Sequence, residues 1–277
     1  MPAAVSLSVS IVLFRTPPAL LHTTMASLLQ AVACARAAGA LAEVSIALID
    51  NDADPTLPDL MARWQAQATE PPIELQLCQG HGNVGYGRGH NRVLPELQSE
   101  RHLILNPDVT LAPDCLLQGL QFLRAQPTVV AASPRIDPGD GSATHGCKRY
   151  PALFDLLLRG FAPAFVRQCL HRRLAHYAMA DLPIDVPALD VPIISGCFML
   201  FRTEVLQALG GFDEAYFLYF EDFDLSLRAH AFGPLAYVPA MHIVHPGGNS
   251  ARKGLRHIGM FARSGLRFYR RHGWRWW

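Results

Sequence analysis

From Ser8 to Phe14 the chain reads SVSIVLF, a short β-branched run that ends at the turn-like Thr16-Pro17-Pro18. Its length and flanks predict a buried strand. The Ala- and Leu-rich segment Leu20 to Ala38 predicts a helix, stopped by Gly39. The alternation continues with a strand over Val44 to Ile49 that ends on Asp50-Asn51-Asp52, a helix around Leu57 to Gln67 and a strand over Ile73 to Leu77. A glycine-rich loop follows, then a helix over Asn91 to Gln98 and a strand over His102 to Leu105 that ends on Asn106-Pro107-Asp108. Strands alternating with helices predict an α/β fold with a mainly parallel central sheet flanked by helices. Ligands of such sheets bind beyond the carboxyl ends of the strands. Three polar clusters fall at such ends, so one cleft is expected to collect them.

The second half has a different texture. Leu153 to Tyr177 mixes apolar residues with Arg159, Arg167, Arg172 and Arg173 and reads as helical. Val191 to Phe201 is apolar around Ser195-Gly196, and an aromatic and acidic segment then runs from Gly210-Gly211-Phe212-Asp213 through Glu221-Asp222-Phe223-Asp224. A further strand is expected at Leu235 to Val238. With no internal repeat or low-complexity linker, the two halves are expected to share one continuous sheet.

The 277 residues, half of them hydrophobic, suit one large domain or two small ones. The formal net charge of +1 gives no signal for nucleic acid. The six cysteines (34, 78, 115, 147, 169 and 197) contain no CxxC pair, which excludes zinc-ribbon and thioredoxin-like sites. Met1 to Val5 carries no positive charge, and the apolar run Val9 to Phe14 is short for a secretory signal. No stretch of about 20 uncharged apolar residues follows, so no bilayer span is expected. Together these features predict a cytoplasmic protein with reduced thiols.

Several polar positions could carry chemistry. Asp108 at the end of a strand suits Mg²⁺ or Mn²⁺, hard cations that take few protein ligands and bridge to diphosphate oxygens; Asn-Pro-Asp is equally good turn chemistry. Gly82 to Asn91 (GNVGYGRGHN) lacks the GxGxxG spacing of a dinucleotide loop, but its glycines allow close backbone approach. Glu221, Asp222 and Asp224 cluster in apolar surroundings, where carboxylates raise one another's pKa and favour general-base work. The same residues at a helix N-terminus would favour its dipole. His245, in the segment Val244 to Ser250, reads singly as a hydrogen-bonded structural residue more than as a ligand.

These segments, in this order and spacing, resemble the family 2 glycosyltransferases, and within them the rhamnosyltransferase-like branch. The likeness runs from about Ser8 to Ser250. Its most specific parts are Leu105-Asn106-Pro107-Asp108-Val109 and Gly210-Gly211-Phe212-Asp213-Glu214, followed by Phe217-Leu218-Tyr219-Phe220-Glu221-Asp222-Phe223-Asp224-Leu225. The resemblance implies a GT-A fold over residues 1–250, with a nucleotide-sugar-binding half (1–110) and an acceptor-binding half (111–250). It also implies an inverting, metal-dependent transfer from a nucleotide-diphosphate sugar, dTDP-L-rhamnose or alternatively a UDP-sugar, to a glycan or polyprenyl-linked acceptor in cell-surface polysaccharide synthesis. By the same resemblance, Asp50 and Asn51 contact the nucleoside, and Asn83, Gly85, Asn91 and Asn106 line the donor pocket. Asp108 and His245 hold the metal, and Asp222 is the base, with Glu221 and Asp224 positioning acceptor or base. Asn106 in place of the first Asp of Asp-x-Asp leaves one fewer anionic ligand. Phe14-Arg15 replaces the Thr-Tyr-Asn that usually ends the first strand, and Asp50-Asn51-Asp52-Ala53 loosely matches Asp-Asn-Ala-Ser.

After Asp224 the chain has no Asp or Glu. On a helix spanning 251–277, Arg252, Arg256, Arg263, Arg267 and Arg270 form one stripe, with Ile258, Phe261, Gly265, Phe268 and Tyr269 opposite. The pattern fits an interfacial helix on an anionic membrane face, with Trp274, Trp276 and Trp277 at headgroup level. It fits equally a terminal helix docked by its apolar face. A sugar-nucleotide pyrophosphorylase would need a glycine-rich basic signature near the first strand, which is absent. A non-catalytic sugar-nucleotide-binding protein would be expected to have lost Asp108 or Asp222.

Overall fold

The computed structural model describes residues 4–66, 72–139, 144–246 and 255–277, the side chains of 255 and 256 apart. Elements follow in the order β1 (Val5–Leu13), α1 (Pro18–Ala37), β2 (Leu41–Asp50), α2 (Leu57–Ala66), β3 (Glu74–Cys78), α3 (Tyr86–Asn91) and β4 (Arg101–Leu105). Next come β5 (Thr110–Leu111), α4 (Cys115–Ala125), β6 (Ala131–Asp137), α5 (Leu153–Phe161), α6 (Ala164–Cys169), α7 (His171–Tyr177) and β7 (Ala188–Leu189). The chain closes with β8 (Phe198–Arg202), α8 (Thr203–Ala208), α9 (Glu221–Ala229), β9 (Leu235–Val244) and α10 (Leu255–His272).

One sheet joins all nine strands in the order β3-β2-β1-β4-β8-β6-β9-β5, with β7 paired to β9. It is parallel from β3 to β4 and again at β6-β9. Antiparallel pairing enters where β8 is inserted between β4 and β6, and where β5 and β7 meet β9. The sheet is continuous across the two halves, as the missing linker predicts.

The pleat of β1 shows how the sequence sets its two faces. Leu7, Val9 and Ile11 join Leu21, Met25 and Leu28 of α1 in the main core. Ser8 and Ser10 face the other way, where their hydroxyls would be costly if unpaired. His102 on β4 meets both, with Nδ1 2.7 Å from Ser8 Oγ and Nε2 2.8 Å from Ser10 Oγ. His90 on α3 adds Nδ1 at 2.7 Å from Ser10 Oγ. Burial pushes the His102 imidazole down to about 3 and lowers His90 strongly, so both are neutral members of a buried polar line.

Four expectations change on folding. The helix expected over Asn91 to Gln98 forms earlier, at Tyr86–Asn91, because Tyr86 N donates to Phe217 O at 3.1 Å and fixes its first turn. Only a 3-10 turn, Leu94–Glu96, follows around Pro95. The helical stretch 153–177 breaks into three at Pro163 and Leu170. The expected strand Leu235 to Val238 continues to Val244 through a register shift opposite Pro134/Arg135. Helix α1, 20 residues long, meets the length and hydropathy criteria for a bilayer span that the sequence reading found nowhere. Its Leu21, Met25, Leu28 and Val32 side chains are buried in the core, as in a core helix of a globular domain.

The C-terminal helix resolves one of the two readings of its pattern in part. Its apolar residues Phe268 and Tyr269 are buried against Tyr216 and Phe220. Arg267 and Arg271 are exposed but not simply solvated, since both pair with Asp213 Oδ2, at 2.8 and 2.6 Å. Gly273, at φ 100°, ends the helix in a conformation that L side chains rarely adopt. The chain then runs back along α5, where Leu153 N donates to Arg275 O at 2.8 Å and Phe154 N to Trp276 O at 3.3 Å. Arg252 of the expected stripe, Lys253 and the Gly247 to Ser250 part of the His245 segment lie outside the described residues, as does the side chain of Arg256.

Candidate active site

A single cleft of about 1200 Å³ opens at the carboxyl ends of β1, β2 and β4. It is lined by Asn51, Asn83, Gly85, Asn106, Asp108, Glu221, Asp222 and His245, so the structure brings together most of the residues singled out in the sequence. Parallel strands end there side by side, and the antiparallel insertion of β8 adds Ser195, Gly196 and Cys197 to the opposite wall.

At the end of β2, Asn51 Nδ2 donates to Gly85 O at 3.2 Å and Asn83 Oδ1 at 3.4 Å, and its Oδ1 lies 3.0 Å from His81 Nε2. Gly85 sits at φ 91°, and a Cβ there would strike Phe217 O. The next glycines are packing positions rather than a phosphate cradle: a Cβ at Gly87 would come within 2.7 Å of Phe212, and one at Gly89 within 2.7 Å of Val12.

Three expected residues lie off this cleft. Asp50 borders a recess of about 40 Å³ that shares Arg15 and Thr16 with the cleft. Its carboxylate accepts from Asp52 N (2.9 Å), Asp54 N (2.6 Å) and Gln79 Nε2 (2.9 Å), organising the β2–α2 loop. Asn91 clamps the Gly-Gly-Phe-Asp turn, donating to Phe212 O at 2.8 Å and accepting from Phe212 N at 2.9 Å. Asp224 is fully buried and paired with Arg228 Nε (2.7 Å), His272 Nε2 (2.8 Å) and Arg271 Nε (3.4 Å). Burial alone would raise its pKa, but these partners lower it overall.

Asp222 faces the cleft from the first turn of α9. Its Oδ2 accepts from Gly196 N at 3.0 Å and its Oδ1 from Phe223 N at 3.0 Å. Glu221 is buried beside it, and burial, reinforced by the Asp222 charge, raises its carboxyl well above the usual carboxylate range. The expected raising of a carboxylate pKa is seen at Glu221, which keeps its proton at neutral pH. The segment before them is strained: Tyr219 and Phe220 both have positive φ, 71° and 65°. Conformations of this kind cost about 1–3 kcal/mol each and need surrounding structure to hold them. Here α10 does so, with Ser264 Oγ donating to Leu218 O at 2.8 Å and the Phe220 ring 4.9 Å from Phe261 and 5.2 Å from Phe268.

The same cleft is lined by Asp108 and His245, with Oδ1 and Nε2 3.3 Å apart. Burial lowers the His245 imidazole, but Asp108 and the Cys197 thiol outweigh it and push it up to about 10. Adjacent ligands of an octahedral Mg²⁺ or Mn²⁺, each about 2.1 Å from the ion, lie about 3.0 Å apart, close to the 3.3 Å of this pair. Among the described residues no group of three or more Asp, Glu, His or Cys is placed to hold a metal ion. Hard cations with few protein ligands, the rest supplied by diphosphate and water, match that donor set.

Sequence reasoning did not single out Tyr86, Lys148, Tyr177 and Cys197, which also line the cleft. The Gly196 interruption of an apolar run was the available signal: its N–H reaches Asp222, its carbonyl accepts from Tyr86 Oη at 2.6 Å, and a Cβ would come within 3.1 Å of Asp222 Cβ.

The chain is 28% identical over 214 residues to the N-acetylglucosaminyl-diphospho-decaprenol L-rhamnosyltransferase of Mycobacterium tuberculosis, an alignment covering 73% of this chain and 66% of that one. It is 27% identical over 187 residues to the rhamnosyltransferase WbbL of Escherichia coli K12, covering 61% and 67%. The chain thus spans just under two-thirds of the mycobacterial protein. Among solved structures it resembles a mannosyltransferase from Pyrobaculum calidifontis in complex with GDP-Man and Mn²⁺, with TM-score 0.60, 17% identity, and 95% of this chain and 65% of that one covered. It also resembles GalNAc-T7 with UDP, GalNAc and Mn²⁺, with TM-score 0.59, 14% identity, and 87% and 44% covered. The profile described as glycosyltransferase like family 2 matches residues 6–276. With that match across nearly the whole sequence, and a fold of GT-A type, the chain belongs to glycosyltransferase family 2.

Proposed function

We propose that the protein is an inverting glycosyltransferase that moves L-rhamnose from dTDP-L-rhamnose to a lipid-linked glycan acceptor at the cytoplasmic face of the membrane. The observation that carries this reading is that Asp222 and the Asp108–His245 pair line one cleft. The mycobacterial relative's name, an L-rhamnosyltransferase acting on N-acetylglucosaminyl-diphospho-decaprenol, supports the choice of sugar and acceptor.

In this reading Asn51 and Asn83 hold the nucleoside, and Asp108 and His245 hold a divalent cation. The cation supplies charge neutralisation to the leaving diphosphate. Asp222 accepts the proton of the acceptor hydroxyl as its oxygen bonds to the anomeric carbon from the face opposite the departing diphosphate. Gly196 N–H keeps Oδ2 aimed, and Glu221, still protonated, keeps a second negative charge away from the base. Direct displacement needs no enzyme nucleophile.

A panel of dTDP-, UDP- and GDP-sugars, assayed for nucleoside diphosphate release with Mg²⁺ or Mn²⁺ and a GlcNAc-diphospholipid acceptor, tests the proposal. Acceptor-dependent dTDP release from dTDP-L-rhamnose is expected. Release from a UDP-sugar instead would keep the glycosyltransferase reading and replace the donor.

A further inference from the structure

One wall of the cleft carries chemistry that the steps above do not use. Lys148 and Arg159 both line it, and among the described residues neither is ion-paired with a carboxylate. Each is held over an aromatic ring instead: Lys148 Nζ lies 5.4 Å from the Phe223 centroid, and Arg159 Cζ lies 5.3 Å from that of Tyr177. Both rings belong to the surroundings of Asp222, since Phe223 follows it in α9 and Tyr177 lies within reach of its charge. Two cations without carboxylate partners therefore share the lining of the cleft with Asp222.

The rim next to them is apolar. Phe161, two residues after Arg159 on α5, is 66% exposed, and α10 adds Ile258 (47%) and Phe261 (38%) to the same lining. A sugar hydroxyl requires neither cations nor an apolar exit. The donor diphosphate is already assigned to the Asp108–His245 pair, through a divalent cation. Organic cations beside exposed aromatic and aliphatic groups instead complement an anionic amphiphile.

Resting on the glycosyltransferase reading, we infer that Lys148 and Arg159 form a second diphosphate subsite, which binds the diphosphate of a polyprenyl-diphosphate-linked acceptor while the chain leaves over Phe161, Ile258 and Phe261. The cleft then handles two diphosphates by different chemistry: the donor's through a divalent cation at Asp108 and His245, the acceptor's through side-chain cations.

The test is a binding titration of the full chain with farnesyl diphosphate, in chelator so that no metal can recruit the probe to Asp108. Farnesol and inorganic pyrophosphate serve as half-probes. The wild-type protein is expected to bind farnesyl diphosphate at least ten-fold tighter than either. Lys148→Ala and Arg159→Ala should each weaken it roughly ten-fold, the scale of one charge-assisted contact. Lys148→Arg should retain most of the affinity, and Phe161→Ser should weaken farnesyl diphosphate but not pyrophosphate. Unchanged binding in both alanine variants, or farnesyl diphosphate held no better than farnesol, overturns the subsite. Binding to phosphatidylglycerol vesicles lacking any diphosphate lipid that Lys148→Ala and Arg159→Ala abolish also overturns it, in favour of a membrane contact at those two residues. The glycosyltransferase reading stands or falls separately, on nucleoside diphosphate release from the donor panel.

Discussion

His272 Nε2 donates to Asp224 Oδ1 at 2.8 Å, joining the end of α10 to the catalytic-side helix α9 across 48 positions of sequence. Asp224 is two residues from Asp222 yet faces the opposite way, into the protein, where Arg228 and Arg271 also hold it. Two carboxylates of one short motif thus have separate tasks: one addresses the cleft and the other anchors the helix that presents it.

That division predicts different failures on mutation. Asp222→Asn is expected to lower kcat by roughly 10²-fold or more, the scale of losing a general base, with donor affinity and thermal midpoint nearly unchanged. Asp224→Asn should instead cost stability, about 3–5 kcal/mol if the buried pair behaves as others do, because Arg228 is left without its countercharge. Denaturant titration beside single-turnover kinetics separates the two. A stable Asp224→Asn protein with crippled turnover would reverse the assignment.

The Asp108–His245 pair predicts metal dependence with a proton signature. With no metal bound, His245 holds a proton against Asp108, so loading a cation must release it. EDTA is expected to abolish transfer and Mn²⁺ or Mg²⁺ to restore it, with cation affinity rising as pH increases. Asp108→Ala should weaken cation-dependent nucleotide binding as well as rate. Full activity in excess chelator would remove the metal from the mechanism.

Glu221 carries a pH dependence whose sign can be worked out. In the unfolded chain it ionises near the ordinary glutamate value, whereas in the fold burial and Asp222 keep it protonated to about 8. Between those values the native state binds the extra proton, so this residue's contribution to stability falls as pH rises. Glu221→Gln, neutral at every pH, should flatten that loss between pH 5 and pH 8 in urea titrations. His102 acts oppositely and lower: neutral in the fold down to about 3, it makes the native state lose stability as pH falls below 6.5. An unchanged slope in Glu221→Gln would mean that the residue is ionised in the fold.

Much of this was legible in the residues because strand ends and motif spacing place side chains directly. Asp108 follows β4 and Asn51 follows β2, and parallel pairing through β1 brings those ends together. Orientation within a motif was not legible. Asp222 and Asp224 differ by about 200° around a helix axis, and only the packing of α10 shows which one faces the cleft. Asn91 likewise looked like a pocket residue, yet its amide complements the Phe212 backbone, a pairing 121 residues apart in sequence. The tail was ambiguous because an apolar stripe does not specify what covers it. Phe220, held at positive φ, supplied part of the cover.

The tail itself gives the final prediction. Phe268 and Tyr269 are buried, Ser264 fixes the backbone of Leu218, and Gly265 lets the helix approach the Phe220 ring, where a Cβ would come within 3.3 Å. Removing α10 should therefore release Tyr219 and Phe220 from their strained conformations and disorder the approach to Glu221 and Asp222. Phe268→Ala, a milder change, is expected to cost about 3–5 kcal/mol through the cavity it leaves, and turnover should fall with it. Arg263 and Arg270 are different, since both are exposed and, among the described residues, neither is ion-paired. Replacing both with glutamate should leave the thermal midpoint within a few degrees. The same change should weaken co-sedimentation with anionic vesicles at low salt, because each basic residue near such a surface contributes about 1 kcal/mol. Added salt should weaken the wild-type attachment too, since screening acts within about 10 Å at 0.1 M. Equal sedimentation of wild-type and Arg263→Glu/Arg270→Glu proteins would leave α10 as a clamp on the catalytic segment and nothing more.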